Sequence, residues 1–196
     1  MINLKKSAKK SNNYAFIDNQ NLNVTVQNLG WKIDWRRFRK FLYDRYQVSQ
    51  AYMFIGYMPE HEEMYEFLHD AGYAIVLKPT YDLTRPQPEV NGEKVKEEDK
   101  RHIKGNVDVE LVLWAMREIN KYDKAILVSG DGDFYSLVEY LEARGKLAKI
   151  LTPSGHYSAL FNKYEKYIER IDKSRHHLEY FKRNPNLGFN GSKDNK

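Results

Sequence analysis

Two carboxylates share one short turn in Ser129-Gly130-Asp131-Gly132-Asp133-Phe134. The apolar run Ala125-Ile126-Leu127-Val128 precedes it, and Phe134, Leu137, Val138 and Leu141 follow at the spacing of one helix face. A second turn, Asp18-Asn19-Gln20-Asn21, follows the apolar run Tyr14-Ala15-Phe16-Ile17. Asp108 stands at the head of a further helical pattern. Four carboxylates brought to one place repel each other. They raise their pKa values, pair with Lys or Arg, or bind a cation. An all-oxygen set with neither Cys nor a His pair suits Mg2+ or Mn2+ better than zinc. Asn19, Asn21 and Ser129 add neutral groups able to orient a carboxylate, a water or a phosphate. Each acid taken singly has a plainer reading: Asp131 or Asp133 as a helix cap, Asp18-Asn19 as an Asx-turn, and Asp108 as a favourable charge at a helix N-terminus.

Whether the acids meet depends on the elements that carry them. Strands are expected at 14–17, 50–57, 73–78, 124–129 and 147–151, with a last one near 167–171. Residues 18–33 read as a loop. Helices are expected over 35–46, with Asp34 as N-cap, and from Pro59 to about 71 with Met64, Phe67, Leu68 and Ala71 facing in and Gly72 ending it. Further helices are expected over 107–121, apolar nearly all round and so largely buried, then over 133–144, near 157–164, and over about 173–183. Strands that are continuous apolar runs alternating with helices mean an α/β fold, a three-layer sandwich with a central, mostly parallel sheet. The order 3-2-1-4-5 makes strands one and four neighbours at the switch point, where such sheets bind ligands outside the strands' carboxyl ends. Right-handed crossovers put Asp18, Asp131, Asp133 and the start of the helix at Asp108 on that same edge.

The chain of 196 residues suits one domain over 14–171. A basic arm at 1–13 precedes it, a long loop or hairpin at 80–105 with an Asn91-Gly92 turn interrupts it, and a charged helix and flexible tail follow at 172–196. The net charge of +5 is uneven. Residues 1–13 hold four Lys and no acid, 172–196 hold six basic residues against three acids, and 14–171 hold 22 basic against 24 acidic residues. Basic ends suit contact with a polyanion, or simply solubility. Arg36, Arg37, Arg39 and Lys40 line one helix; they would touch phosphates or form an ordinary solvated face. There are no cysteines, which excludes thiolate metal sites and fits a cytoplasmic location. No apolar run approaches membrane-spanning length, and the N-terminal lysines lack the apolar segment of a secretory signal. No glycine-rich fingerprint follows a strand, so a dinucleotide site is not expected.

Phe16-Ile17-Asp18-Asn19-Gln20-Asn21-Leu22, Lys104-Gly105-Asn106-Val107-Asp108-Val109 and Leu127-Val128-Ser129-Gly130-Asp131-Gly132-Asp133-Phe134 resemble the three signature segments of the NYN domain, the LabA-like branch of the PIN-related nuclease superfamily. The resemblance runs in order over about residues 14–171. It implies a PIN-like sandwich and a metal-dependent ribonuclease, with Asp18, Asp108, Asp131 and Asp133 as catalytic and metal-ligand residues for Mg2+ or Mn2+. RNA, rather than DNA, as the partner rests on this resemblance. Lys104 would neutralise charge on the phosphate. Tyr81, His102, His156 and Tyr157 would stack on single-stranded bases. No membrane contact is expected, and a homodimer is left open. Three departures stand out: Trp114 where many relatives carry a further aspartate, Gly132 where Ser is common, and the inserted Asn106. The alternative from another class is a binding module for RNA or protein that keeps the fold and has lost the chemistry. A phosphatase would need Asp-x-Asp in the first turn, which here reads Asp-Asn-Gln-Asn.

Overall fold

The computed structural model of the chain describes residues 11–78 and 107–181. The expectations placed on 1–10, on the loop or hairpin at 80–105 with Tyr81, His102 and Lys104, and on 182–196 lie outside the described residues. Six strands, β1 (Asn13–Asp18), β2 (Val48–Gly56), β3 (Ala74–Lys78), β4 (Ala125–Val128), β5 (Leu147–Thr152) and β6 (Ile168–Arg170), form one sheet in the order β3-β2-β1-β4-β5-β6. Every pairing is parallel. The expected order is present, with β6 added beside β5. In β1 the register sets Ile17 against Val128, so Asp18 and Ser129 are the next positions on adjacent strands.

Alternation along the central strands splits the core in two. Ala15, Ile17, Met53, Ile55, Ile126 and Val128 face one side, against helices α1 (Asn19–Asn28), α2 (Trp35–Tyr46) and α3 (Glu62–Asp70) through Leu22, Val26, Phe38, Leu42, Tyr65 and Leu68. Phe16, Phe54, Leu127 and Ile150 face the other, against α4 (Asp108–Arg117), α5 (Tyr135–Ala143) and the 3₁₀ segment Ala159–Tyr167. This is the three-layer sandwich. The amino-terminal edge is fastened by buried Asn13. Its side-chain amide donates to Tyr46 O (2.7 Å) and its Oδ1 accepts from Lys124 N (3.1 Å). Among the described residues no helix is long and apolar enough to cross a membrane.

Four expectations need correcting. Residues 18–33 are not a loop, because α1 fills most of them. Its Asn, Gln, Thr and Val residues are weak helix formers, but Asp18 caps it and Leu22 and Val26, one turn apart, are fully buried. Helix α3 begins only at Glu62, after a 3₁₀ turn at Pro59–His61, and this phase turns Tyr65 inward while Phe67 stands 41% exposed. Helix α4 is not buried all round. Leu111 and Ala115 face the sheet, whereas Val109 and Leu113 are 66% and 60% exposed, because an outer-layer helix is covered on one side only. The C-terminal helix shrinks to a 3₁₀ turn, Ile171–Ser174, and one turn of α6 (Arg175–Leu178). There the chain bends to pair Glu179 with Ile33.

The α4 correction is testable. Leu111→Ala removes a fully buried side chain and is expected to cost about 2–5 kcal/mol in urea unfolding. Leu113→Ala is expected to stay within about 0.5 kcal/mol. Equal losses at the two positions would contradict the one-sided packing of α4.

Candidate metal centre

Strand β1 delivers Asp18 to the carboxyl edge and α1 starts immediately behind it. The carboxylate is 4% exposed. Its Oδ1 accepts from Asn21 N (3.0 Å), which caps the helix, and its Oδ2 accepts from Ser129 Oγ (3.1 Å) at the end of β4. Ser129 is fully buried, and its hydroxyl in turn accepts from Asp131 N (3.1 Å). Asn21 Oδ1 accepts from Gly130 N (2.9 Å). The two acidic turns are therefore joined by a closed set of hydrogen bonds. Asn19 opens α1 alongside Asp18.

Asp131 Oδ1 accepts from Asp133 N (3.0 Å) and caps the 3₁₀ turn Gly132–Phe134, which leads into α5. Phe134 is fully buried and anchors that turn to the core. Asp108, in the first turn of α4, arrives from the same side of the sheet. One carboxylate oxygen from each of Asp108, Asp131 and Asp133 lies within 4.8 Å of the other two. Asp108 and Asp131 are half-buried and Asp133 is exposed. Asp18 stands beside this trio and is not part of it. Capping and clustering are thus not rivals here, since Asp131 caps a 3₁₀ turn and also belongs to the trio, while Asp18 caps α1 beside it.

Burial pushes the Asp18 carboxyl up from its ordinary value of 3.8 to about 6; the bonds from Asn21 and Ser129 oppose the rise, and the nearby charges of Asp108 and Asp131 add to it.

The loop after β5 closes over the β4 turn. Ser158 N donates to Gly130 O (3.0 Å), and a Cβ on Gly130 would come within 3.3 Å of Tyr157 Cβ. A Cβ on Gly132 would overlap Ser158 Oγ and lie 3.0 Å from Ser158 Cβ and 3.2 Å from Leu160 Cδ1. Gly132 thus stands in close approach to the Ser158 and Leu160 side chains. His156 and Tyr157, expected to stack on bases, lie on this loop; Ser158, which packs against Gly132, carried no signal in the sequence. Arg39, also singled out, is not at this site. It donates to the carbonyls of Gly72 (2.9 Å), Val48 (3.1 Å) and Ser49 (2.9 Å) and ties α2 to the opposite edge. Arg37 and Lys40, its neighbours on α2, pair with Asp34 and Asp44.

Two outcomes follow. In metal-free protein, Asp18 binds a proton more tightly folded than unfolded, so its burial penalty is absent below about pH 3.8 and complete above about pH 6. Asp18→Asn is therefore expected to stabilise the metal-free chain at about pH 8 by up to roughly 1.5 kcal/mol, the shift corresponding to about 3 kcal/mol less about 1.5–3 kcal/mol for one charge-assisted hydrogen bond. The gain should vanish near pH 3.5; a gain independent of pH would contradict the buried charge. Second, Gly132→Ala is expected to cost about 1–3 kcal/mol by overpacking, and Ser158→Gly in the same chain should recover most of it. Additive losses would contradict the contact.

Comparison with known proteins agrees with this architecture. The NYN domain family model matches residues 14–172. The low amplitude and bright protein LabA of Synechococcus elongatus is 27% identical over 165 residues, covering 80% of this chain and 82% of that protein. A crystal structure of a Vibrio parahaemolyticus protein of unknown function superposes with a TM-score of 0.65 at 22% identity, over 89% of this chain and 99% of that one, and shares the fold.

Proposed function

The chain belongs to the NYN domain family, and on that footing we propose that it is a metal-dependent endoribonuclease hydrolysing phosphodiester bonds of single-stranded RNA. The observation that carries the reading is the meeting of three carboxylates, from Asp108, Asp131 and Asp133, within 4.8 Å at the carboxyl edge. The donor set fits Mg2+ or Mn2+. It is all oxygen, and metal–oxygen bonds of about 2.0–2.1 Å allow ligand atoms up to about 4.2 Å apart, comparable with the separations of less than 4.8 Å here. Such an ion supplies Lewis-acid polarisation of a phosphate and a more acidic water.

The protein's own groups then have distinct tasks. Asp108, Asp131 and Asp133 would hold the ion. Asp133, exposed on the turn, is open to solvent and suited to orienting the attacking water or taking its proton. Asp18, closed off and bonded through both oxygens, holds Ser129 and Asn21, and through them the backbone at Gly130 and Asp131. Lys104, by its place in the second signature segment, supplies a counter-charge to the phosphate. The lysines of residues 1–13 and the basic tail after 172 add affinity for the polyanion.

With Mn2+ and an end-labelled single-stranded RNA, the purified chain is expected to cleave internally. Asp131→Asn and Asp108→Asn are expected to lower the rate by at least about 100-fold, the loss typical of a removed electrostatic stabiliser. RNA that binds yet stays intact in Mn2+, or unchanged cleavage in both variants, would leave the binding-module reading instead.

A further inference from the structure

Beyond the acidic centre, the carboxyl edge continues across β5 and β6 and changes character. The segment Pro153-Ser154-Gly155-His156-Tyr157-Ser158 is held by its own bonds: Thr152 Oγ1 donates to Ser154 O (3.0 Å), and Ser154 Oγ accepts from His156 N (3.1 Å). Thr152 and Ser154 are both buried. Arg170, the last residue of β6, lays its guanidinium flat against this loop. A Cβ on Gly155 would lie 3.0 Å from Arg170 Cζ, 3.1 Å from Nη1 and 3.3 Å from Nη2. Its Nε donates to Asp172 Oδ1 (3.0 Å) and its Nη2 to Asp172 Oδ2, a two-point grip that fixes the plane of the group. The Arg170 side chain remains 39% exposed. Tyr157 comes close to Gly130, where an added Cβ would lie 3.3 Å from Tyr157 Cβ, and it belongs to the same loop that Arg170 covers at Gly155.

We propose that Arg170 forms a phosphate subsite for the RNA strand, one step along the sheet edge from the acidic centre, with the loop bearing Tyr157 between them. The inference rests on the ribonuclease reading for the identity of the anion. With the reacting phosphate at the acidic centre, the next phosphate of the strand lies farther along the edge, where a cation favours it. The guanidinium offers five N–H groups in a fork, of which Asp172 takes two, on Nε and Nη2. Parallel strands about 4.8 Å apart put the end of β6 about 10 Å from the end of β4, within reach of a neighbouring nucleotide. The glycine at 155 keeps the guanidinium seated where a side chain would lift it. On α2, Arg37, Lys40 and Arg45 are paired with Asp34, Asp44 and Glu169, and Arg39 is bonded to the carbonyls of Gly72, Val48 and Ser49.

The test separates binding from cleavage. Affinity of the full chain carrying Asp131→Asn for a short fluorescent single-stranded RNA is measured in Mn2+ over a range of salt. Adding Arg170→Gln is expected to weaken binding about 10-fold and to reduce the salt slope by about 0.7, one phosphate contact on a single strand. Asp172→Asn breaks the same ion pair but keeps the cation, and is expected to retain most of the affinity. Lys40→Ala, a surface cation on α2, is expected to change nothing. Binding unaffected by Arg170→Gln would overturn the proposal, as would equal losses in Asp172→Asn or Lys40→Ala, or no RNA binding at all. Cleavage by the unsubstituted chain is scored separately. A chain that cuts RNA but ignores Arg170 sinks only the subsite; one that binds through Arg170 and never cuts sinks only the ribonuclease.

Discussion

One hydroxyl without solvent contact, Ser129 Oγ, holds the acidic edge together. It donates to Asp18 at the end of β1 and accepts from the backbone of Asp131 at the end of β4. A buried hydroxyl left unpaired costs a few kcal/mol, and a buried carboxylate costs more. Neither group can relax without the other, and Asn21 adds a second tie from α1 to Gly130. The network is fully satisfied, the condition under which buried polar groups specify one arrangement. The register of β1 with β4 puts these partners side by side, so sheet topology and site geometry are one constraint.

Glycines transmit that constraint outward. Gly130 lets the loop after β5 approach the β4 turn, and Gly132 leaves room for Ser158. The loop in turn carries Gly155, against which Arg170 lies flat. Acid, neutral wall and cation thus succeed one another along the ends of β4, β5 and β6. The acids on β4 and the cation on β6 stand two strands apart, both on rigid elements.

Much of this arrangement could be read from residue patterns, for definite reasons. Continuous apolar runs at 14–17 and 125–128, alternating with helical patterns, read as central strands of a covered parallel sheet, and the order 3-2-1-4-5 placed Asp18 beside Ser129 and Asp131. Asp34 before Trp35 gave the start of α2 by its capping chemistry. Helix α1 was hidden because Asn19-Gln20-Asn21 has the composition of a turn, and its stability comes from the Asp18 cap and two buried aliphatics. The extent of α4 was overread because apolar content does not reveal which side of a helix the sheet covers. Asp18 was grouped with the other three acids; it is bonded to Asn21 and Ser129 beside the trio, whose oxygens lie within 4.8 Å of one another. Arg170 carried no local signal. Its significance lies in standing at the end of a strand that joins the sheet last.

The central claim is that Asp108, Asp131 and Asp133 form one cation site on the edge that Asp18 and Ser129 organise. Anomalous diffraction from crystals of the chain grown with Mn2+ tests it most directly. The account predicts one manganese peak, at least, bonded to carboxylate oxygens of all three aspartates. A peak elsewhere with these carboxylates paired to lysine or arginine instead, or no peak at saturating Mn2+, would contradict it.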